Sequence, residues 1–297
     1  MMYIVGDRSV EFPKVTGPNI DPRTVEDFGR EWARFDQSEA SREELLREFD
    51  GYFRGFPWNA LPANAAGFDL GCGSGRWARF VAERVGRLHC IDPSAEALAV
   101  AQNKLADQSN CVFHHAGVDQ IPLPDASMDF GYSLGVLHHI PDTAAGIRAC
   151  VAKLKPGAPF LLYLYYALEN RPFWFRFIWR CSDAVRRVIA RLPSFVKMRV
   201  TDIIAATVYF PLARLARLCE RSGRSVESIP LAQYRHSTFY MMRTIALDRF
   251  GTRLERRFSA DEIREMMSAA GLDRITIPEG PPYWCGVGYR RERSIAD

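Results

Sequence analysis

The sequence predicts an α/β fold, a doubly wound, seven-stranded, mostly parallel sheet interrupted by a helical insert. Three observations carry that expectation. From Gly67 onward, short apolar strand patterns alternate with helix patterns, which is how a parallel sheet covered on both faces is written. The glycine-rich turn Asp69-Leu-Gly71-Cys-Gly73-Ser-Gly75 sits between one such strand and the helix after it. The alternation then stops at Ala167, resumes after Arg257 and ends on two further strands.

The elements follow in order. Residues 1–60 read as an N-terminal helical extension. In it Thr24 and Asp27 suggest a capping box before the stripe Val25, Phe28, Trp32 and Phe35, and Ser41 with Glu44 suggests another before Leu45, Leu46, Phe49 and Phe53. Residues 61–166 read as the first part of the sheet. Strands are expected at 68–70, 88–92, 111–115, 128–134 and 159–166, and helices at 76–85, 94–106 and 143–155. Residues 167–257 form the insert, helices broken at Pro193, Pro211 and Gly223. Residues 258–297 complete the sheet, with a helix capped by Ser259 and Glu262 and strands at 274–277 and 284–289.

Composition narrows the function classes. The 297 residues are 47% hydrophobic and 25% charged, which excludes a disordered or collagen-like chain. The net charge of +4 is too mild to argue for nucleic acid, but it is unevenly placed. Between Arg171 and Arg224 twelve basic residues face three acidic ones, so the rest of the chain is acidic. The seven cysteines form no C-x-x-C pair and the closest two are 18 residues apart, which suggests a reducing compartment rather than a disulfide framework or a zinc cage. Met1 to Asp7 lack signal-peptide character, and the apolar run Ile203–Ala213 is too short to span a bilayer. A cytoplasmic location is the expectation.

The glycine turn lets the backbone approach a ligand closely and aims a helix N-terminus at it. Its spacing is G-x-G-x-G with Arg76 next, which is not the full dinucleotide fingerprint. Asp69, two residues before the first glycine, would repel a pyrophosphate but suits a ligand bearing an ammonium and a sulfonium. Asp92 ends the second strand, where a carboxylate can accept both hydroxyls of a ribose.

These residues resemble the S-adenosylmethionine site of class I methyltransferases, a Rossmann-like family. Three further segments are similar to that family: Gly117-Val-Asp119-Gln-Ile-Pro-Leu-Pro-Asp125 with Asp129, Gly135-Val-Leu-His138-His139-Ile-Pro-Asp142, and Leu154-Lys-Pro-Gly157. The resemblance covers about 67–166 and 258–297. It implies S-adenosyl-L-methionine as cofactor, with Asp69 organising the methionine amino group and Gly71, Gly73 and Gly75 passing beneath it. Asp92 would hold the ribose, Val118 and Asp119 would reach the adenine, and Gly135 would border the site. Many relatives carry an acidic residue where Gly117 stands, so the adenine contact falls to Asp119 or to backbone. Arg76 either pairs with the methionine carboxylate or is a solvated helix arginine.

His139 is a candidate general base at the end of the fourth strand, and His138 beside it a candidate substrate contact; one of the two could instead pack and shape the pocket. Tyr240 is a second candidate for a chemical role. Tyr234, His236, Tyr283 and Trp284 join His138 as candidate acceptor contacts, against a plain core role for each. No metal-ligand cluster is visible. The insert opens with Phe173-Trp-Phe-Arg-Phe-Ile-Trp179, five aromatics in seven residues. It reads as a lid over the active site, with a membrane-surface helix as a secondary reading and simple packing as the third.

The expected function is transfer of a methyl group from S-adenosylmethionine to a small-molecule oxygen, nitrogen or carbon by in-line displacement under the lid. One alternative uses the cofactor on itself, its amine attacking the γ-carbon and releasing methylthioadenosine. Another is a non-catalytic cofactor-binding or membrane-associated partner. No nucleic-acid partner is expected. The sequence leaves acceptor, pathway and oligomeric state open.

Overall fold

The computed structural model describes residues 3–5, 8–10, 15–226 and 229–292. The remaining parts of the expected 1–60 extension (1–2, 6–7 and 11–14) and of the expected C-terminal segment (293–297) lie outside the described residues. Two compact units emerge. A core unit comprises the described residues of 1–36, 46–167 and 254–297, and a helical unit comprises 37–45 and 168–253.

The chain opens on a hairpin that the sequence pattern does not announce, β1 (Tyr3–Val5) antiparallel to β2 (Arg8–Val10). Helix α1 (Pro22–Arg34) is capped by Asp21, whose side chain accepts from the Thr24 N–H, with Pro22 at the first helical position. The expected Thr24 cap is thus displaced by three residues, because an Asp followed by Pro satisfies the end better. Ser41 caps α2 (Arg42–Tyr52) as expected, its Oγ accepting from the Glu44 N–H at 3.1 Å.

The sheet unfolds as β3 (Ala66–Leu70), α3 (Ala78–Ala82), β4 (Arg87–Asp92), α4 (Ala95–Lys104), β5 (Cys111–His115), β6 (Phe130–Leu134), α5 (Thr143–Lys153) and β7 (Pro159–Tyr163). After the insert come α10 (Ala260–Ala269), β8 (Leu272–Thr276) and β9 (Cys285–Arg290). Seven strands lie in the order β5-β4-β3-β6-β7-β9-β8, parallel except for β9, which runs antiparallel to both of its neighbours. The expected strand at 128–134 shortens because Met128 makes only an isolated bridge to Leu154. The core is continuous apolar burial between sheet and helices, with Phe68, Leu137, Ile147, Phe160, Leu162 and Ile263 fully enclosed.

Strand order reverses between β3 and β6: β4 and β5 lie to one side, β7, β9 and β8 to the other. Loops leaving β3 and β6 therefore diverge and open a crevice at the carboxyl edge, where α/β sheets bind ligands. The two limbs of the insert meet at that edge. Tyr166 bridges Phe258, and the Ala167 N–H donates to the Phe258 carbonyl at 2.9 Å.

The helical unit contains α6 (Phe173–Ile189), α7 (Ser194–Ile204), α8 (Phe210–Arg221) and α9 (Phe239–Gly251). Its core gathers Ile189, Ala205, Tyr209, Ala213, Met242, Ala246 and Phe250. Pro193 separates α6 from α7 as expected. Pro211 breaks nothing, because a π-helical turn at Ala205–Tyr209 joins α7 directly to α8 and absorbs the missing N–H. Among the described residues no helix is long and apolar enough to cross a membrane.

Candidate functional site

A largely apolar cavity with about 810 Å³ of empty volume, part of it open to solvent, occupies the crevice. Leu70 and Gly71 reach it from β3, and Asp92, Pro93 and Ser94 from β4. Gly117 and Val118 follow β5, while Leu134–Leu137, His139 and Ile140 follow β6. The fourth wall is the N-terminal segment: Asn19, Ile20, Asp21, Thr24, Val25, Phe28 and Trp32.

The glycine turn is shaped by close approach. Gly71 has φ +78°, and a Cβ there would stand 2.3 Å from Val136 Cγ2. A Cβ on Gly73, φ +53°, would meet the Trp32 indole nitrogen at 2.9 Å. Side chains at either place would fill the cradle. Asp92 fixes the turn from the next strand: one carboxylate oxygen accepts from the Gly73 N–H at 2.9 Å, the other from the Ser94 N–H at 2.8 Å. Burial pushes its pKa up to about 6 despite these two donors.

Asp69 is only 2% exposed, and its Oδ2 is buried without a hydrogen-bond partner. Burial drives its pKa up to about 8; the Tyr132 hydroxyl beside it pulls the other way, and the charge of Asp92 adds to the rise. A buried carboxylate oxygen lacking a donor is costly unless something cationic completes it. The donor set therefore fits the group that the resemblance implies: an orphaned carboxylate for an ammonium, a carboxylate at the β4 end for a ribose, and a glycine cradle between them.

His139 lines the cavity with its ring 5.0 Å from Phe28. Its Nδ1 lies 2.6 Å from the Leu254 carbonyl oxygen. A carbonyl only accepts, so Nδ1 carries the proton and Nε2 the lone pair. His138 is fully buried, both ring nitrogens without a hydrogen-bond partner, and burial holds its pKa well below the usual histidine range. Its ring lies 3.9 Å from both His139 and Tyr165, and its carbonyl accepts from the Arg256 N–H at 3.0 Å. It braces His139 and does not itself line the cavity.

Several expected residues lie elsewhere. Asp119 does not reach the cavity, because its carboxylate accepts from the Asn19 N–H at 2.8 Å; Gly117 and Val118 take that wall. Arg76 stands 3.6 Å from Glu48 and 4.1 Å over the Trp77 ring, away from the lining. Gly75 turns the backbone with φ +73° against α4. Trp284 belongs to the sheet's core, with Tyr283 packed on it at 4.8 Å between ring centres. In the helical unit the Tyr240 hydroxyl accepts from the Gln37 N–H at 2.9 Å, Tyr234 stacks on Tyr209, and His236 Nε2 sits 3.0 Å from Glu220. None of these three is brought to the cavity.

The N-terminal wall is what the sequence reading missed. Val25, Phe28 and Trp32 were legible as an apolar stripe, but a stripe does not say what it covers. Asn19 latches the segment: its side chain donates to the Asp142 carbonyl at 2.8 Å and accepts from the Asp142 N–H at 2.6 Å.

Comparison with known proteins agrees with this site. A family model for the methyltransferase domain matches residues 68–162. A ubiquinone biosynthesis O-methyltransferase of Aromatoleum aromaticum is 30% identical over 117 residues, 39% of this chain and 48% of that protein. Phosphoethanolamine N-methyltransferase 2 of Caenorhabditis elegans is 33% identical over 100 residues, 33% of this chain and 23% of that protein. The chain thus spans about half the length of the first relative and about a quarter of the second. In fold, 91% of the chain superposes on 99% of a chain from the complex between the Haloferax volcanii Trm112 methyltransferase activator and a methyltransferase, with TM-score 0.50 and 17% identity. Glycine cradle, paired carboxylates, strand order and sequence match coincide on one stretch of chain, residues 68–162, the stretch that the methyltransferase-domain model matches.

Proposed function

We propose that this protein transfers the methyl group of S-adenosylmethionine to a small-molecule acceptor, with His139 taking the proton the acceptor gives up. The observation that carries the reading is a crevice lined by the Gly71 turn, by Asp92 and by His139, with the buried, unsatisfied Oδ2 of Asp69 two residues before that turn. Bound S-adenosylmethionine supplies an electrophilic methyl group on a sulfonium. Asp69 binds and orients the ammonium, and the ionic contact returns Asp69 to its charged form. Asp92 accepts from the ribose hydroxyls with the lone pairs that Gly73 and Ser94 leave. The Gly117–Val118 backbone borders the adenine.

Phe28 and Trp32 exclude water from the crevice, and alignment of acceptor and methyl group supplies most of the acceleration, up to roughly 7–11 kcal/mol in well-oriented reactions. His139 Nε2, its tautomer fixed by the Leu254 carbonyl, accepts the acceptor's proton. Leu254 holds His139 and Arg256 holds His138, so the core-unit segment that follows the insert shapes the site directly.

The test is mass spectrometry of purified protein with S-adenosylmethionine, first alone and then with oxygen-, nitrogen- and carbon-acceptor panels. Acceptor-dependent release of S-adenosylhomocysteine supports methyl transfer. Rapid release of methylthioadenosine without any acceptor overturns it in favour of intramolecular displacement within the cofactor.

A further inference from the structure

The helical unit wears its hydrocarbon on the outside. Of the fifteen large hydrophobic side chains exposed among the described residues, fourteen belong to this unit, and the other is Val112. They follow the helical repeat. On α6, Phe173 (76% exposed), Trp174, Phe177 (58%), Ile178, Val185 and Val188 fall at intervals of three, four and seven, one continuous stripe. The opposite face of the same helix buries Asp183 and Arg186, joined at 2.7 Å, with Arg186 Nη1 also donating to the Thr252 carbonyl at 2.8 Å. An ordinary surface helix turns its apolar face to the core and its ions to water. This one buries Ile189 but also an ion pair, and leaves most of its large apolar side chains outside.

The continuous α7–α8 run turns Ala205, Tyr209 and Ala213 to the unit's core but shares the apolar exterior. It buries Lys197, whose Nζ donates to the Gly251 carbonyl at 3.0 Å, and exposes Phe195 (69%), Ile203 and Leu218 (64%). Nothing in the packing of α9 asks for this, since α9 finds its burial in the unit's own core.

Charge says what covers the surface. Exposed Arg176, Arg180 and Arg187 form a row along one edge of the α6 stripe, at spacings of four and seven, Arg187 also pairing with Asp183 at 2.9 Å, and Arg199 and Arg221 are exposed on α7 and α8. The segment Arg171–Arg224 carries twelve basic residues against three acidic ones while the rest of the chain is net acidic. Aromatic and aliphatic side chains flanked by arginine are the chemistry of a helix lying in the headgroup layer of an anionic bilayer, rings among the acyl chains and guanidinium groups on phosphates. We propose that the outer face of α6 and α7–α8 docks this protein on an anionic lipid surface. The inference is independent of the catalytic reading, since it concerns side chains that take no part in the cavity.

The test is flotation of the full-length protein with vesicles of phosphatidylcholine alone and of phosphatidylcholine mixed with phosphatidylglycerol, at low and high salt. The expected result is flotation with the anionic vesicles, weakened by salt. The double variant Phe177→Asp, Ile178→Asp should lower the bound fraction by about tenfold or more, and Val112→Asp should leave it unchanged. Arg176→Glu with Arg180→Glu should abolish the preference for anionic lipid; it disturbs no buried apolar contact and so stands in if the first variant fails to fold. Wild-type protein remaining unbound at low salt overturns the proposal. So does a vesicle-free dimer, seen by light scattering, that Phe177→Asp dissociates and vesicles do not compete away, because a second copy then covers the face.

Discussion

The two units handle polarity in opposite ways. The core unit buries its hydrophobic side chains, Phe68, Phe80 and Phe160 among them, and leaves polar atoms incomplete inside: Asp69 Oδ2, Ser74 Oγ and both nitrogens of His138. The helical unit pairs two of its buried ions, Asp183 with Arg186 and Lys197 with the Gly251 carbonyl, and leaves hydrocarbon outside. Each departs from the rule that polar groups are satisfied and apolar ones covered, and each departure marks where something else belongs. An unsatisfied interior calls for a ligand; an uncovered exterior calls for a surface.

Breaking the first half of that contrast should produce the largest effect. His139→Gln keeps a donor for the Leu254 carbonyl but removes the imidazole lone pair. Steady-state kinetics should show kcat falling by about 10²–10⁴-fold, with the KM for cofactor little changed. An equal rise in KM and unchanged kcat would reduce His139 to a wall of the cavity.

Asp69→Asn comes next. It should weaken cofactor binding by roughly a hundredfold, about 3 kcal/mol, since one partner of a buried charge pair is lost. Titration calorimetry should also show a change in pH dependence. Wild-type Asp69, held up to about 8, is protonated in the cofactor-free protein at neutral pH, and must ionise to receive an ammonium. Wild-type affinity should therefore climb from pH 6 to about 8, and the variant should lose that part of the climb. Stability runs the other way. The unfolded chain releases this proton near the usual 3.8 and the folded one only near 8, so cofactor-free stability falls with rising pH across that interval. Asn cannot ionise, and thermal melts at pH 8 to 9 should show the variant above wild type, opposite to its binding defect.

Gly71→Ala should be smaller, a loss of about 2–3 kcal/mol in denaturant unfolding. The left-handed backbone alone costs about 1–2 kcal/mol, and the new Cβ meets Val136 at 2.3 Å. This residue also shows what was legible in the sequence. The turn from Asp69 to Gly75 could be read because its rules are local: a strand, glycines where the chain bends back, a helix behind them. The alternation that gave the parallel sheet is local too.

What escaped was decided by partners far away in sequence. Asp119 looked like an adenine contact until the Asn19 N–H, a hundred residues earlier, took its carboxylate. Tyr240 looked chemical until its hydroxyl met Gln37, and Pro211 looked like a break until a π-helical turn absorbed it. Val25, Phe28 and Trp32 showed an apolar face without showing the cavity it closes. The aromatic run of α6 was visible as well, but amphipathicity fixes only that two faces differ, not which one turns inward.

The smallest effect concerns that outward face, and its smallness is informative. Phe177 is 58% exposed, so its truncation forms no cavity and uncovers no core. Phe177→Ser should change the unfolding free energy by less than about 0.5 kcal/mol, whereas Phe160→Ala, at a fully buried ring in the sheet, should cost about 3–5 kcal/mol. Denaturant melts of the two variants beside wild type make the measurement. A loss above 1 kcal/mol for Phe177→Ser would mean the ring supports the fold and the stripe is ordinary core seen from outside. A neutral result leaves a large aromatic side chain that contributes nothing to folding. Such a ring lowers solubility without strengthening the monomer, so the stripe along α6 has to be explained by what it meets beyond this chain.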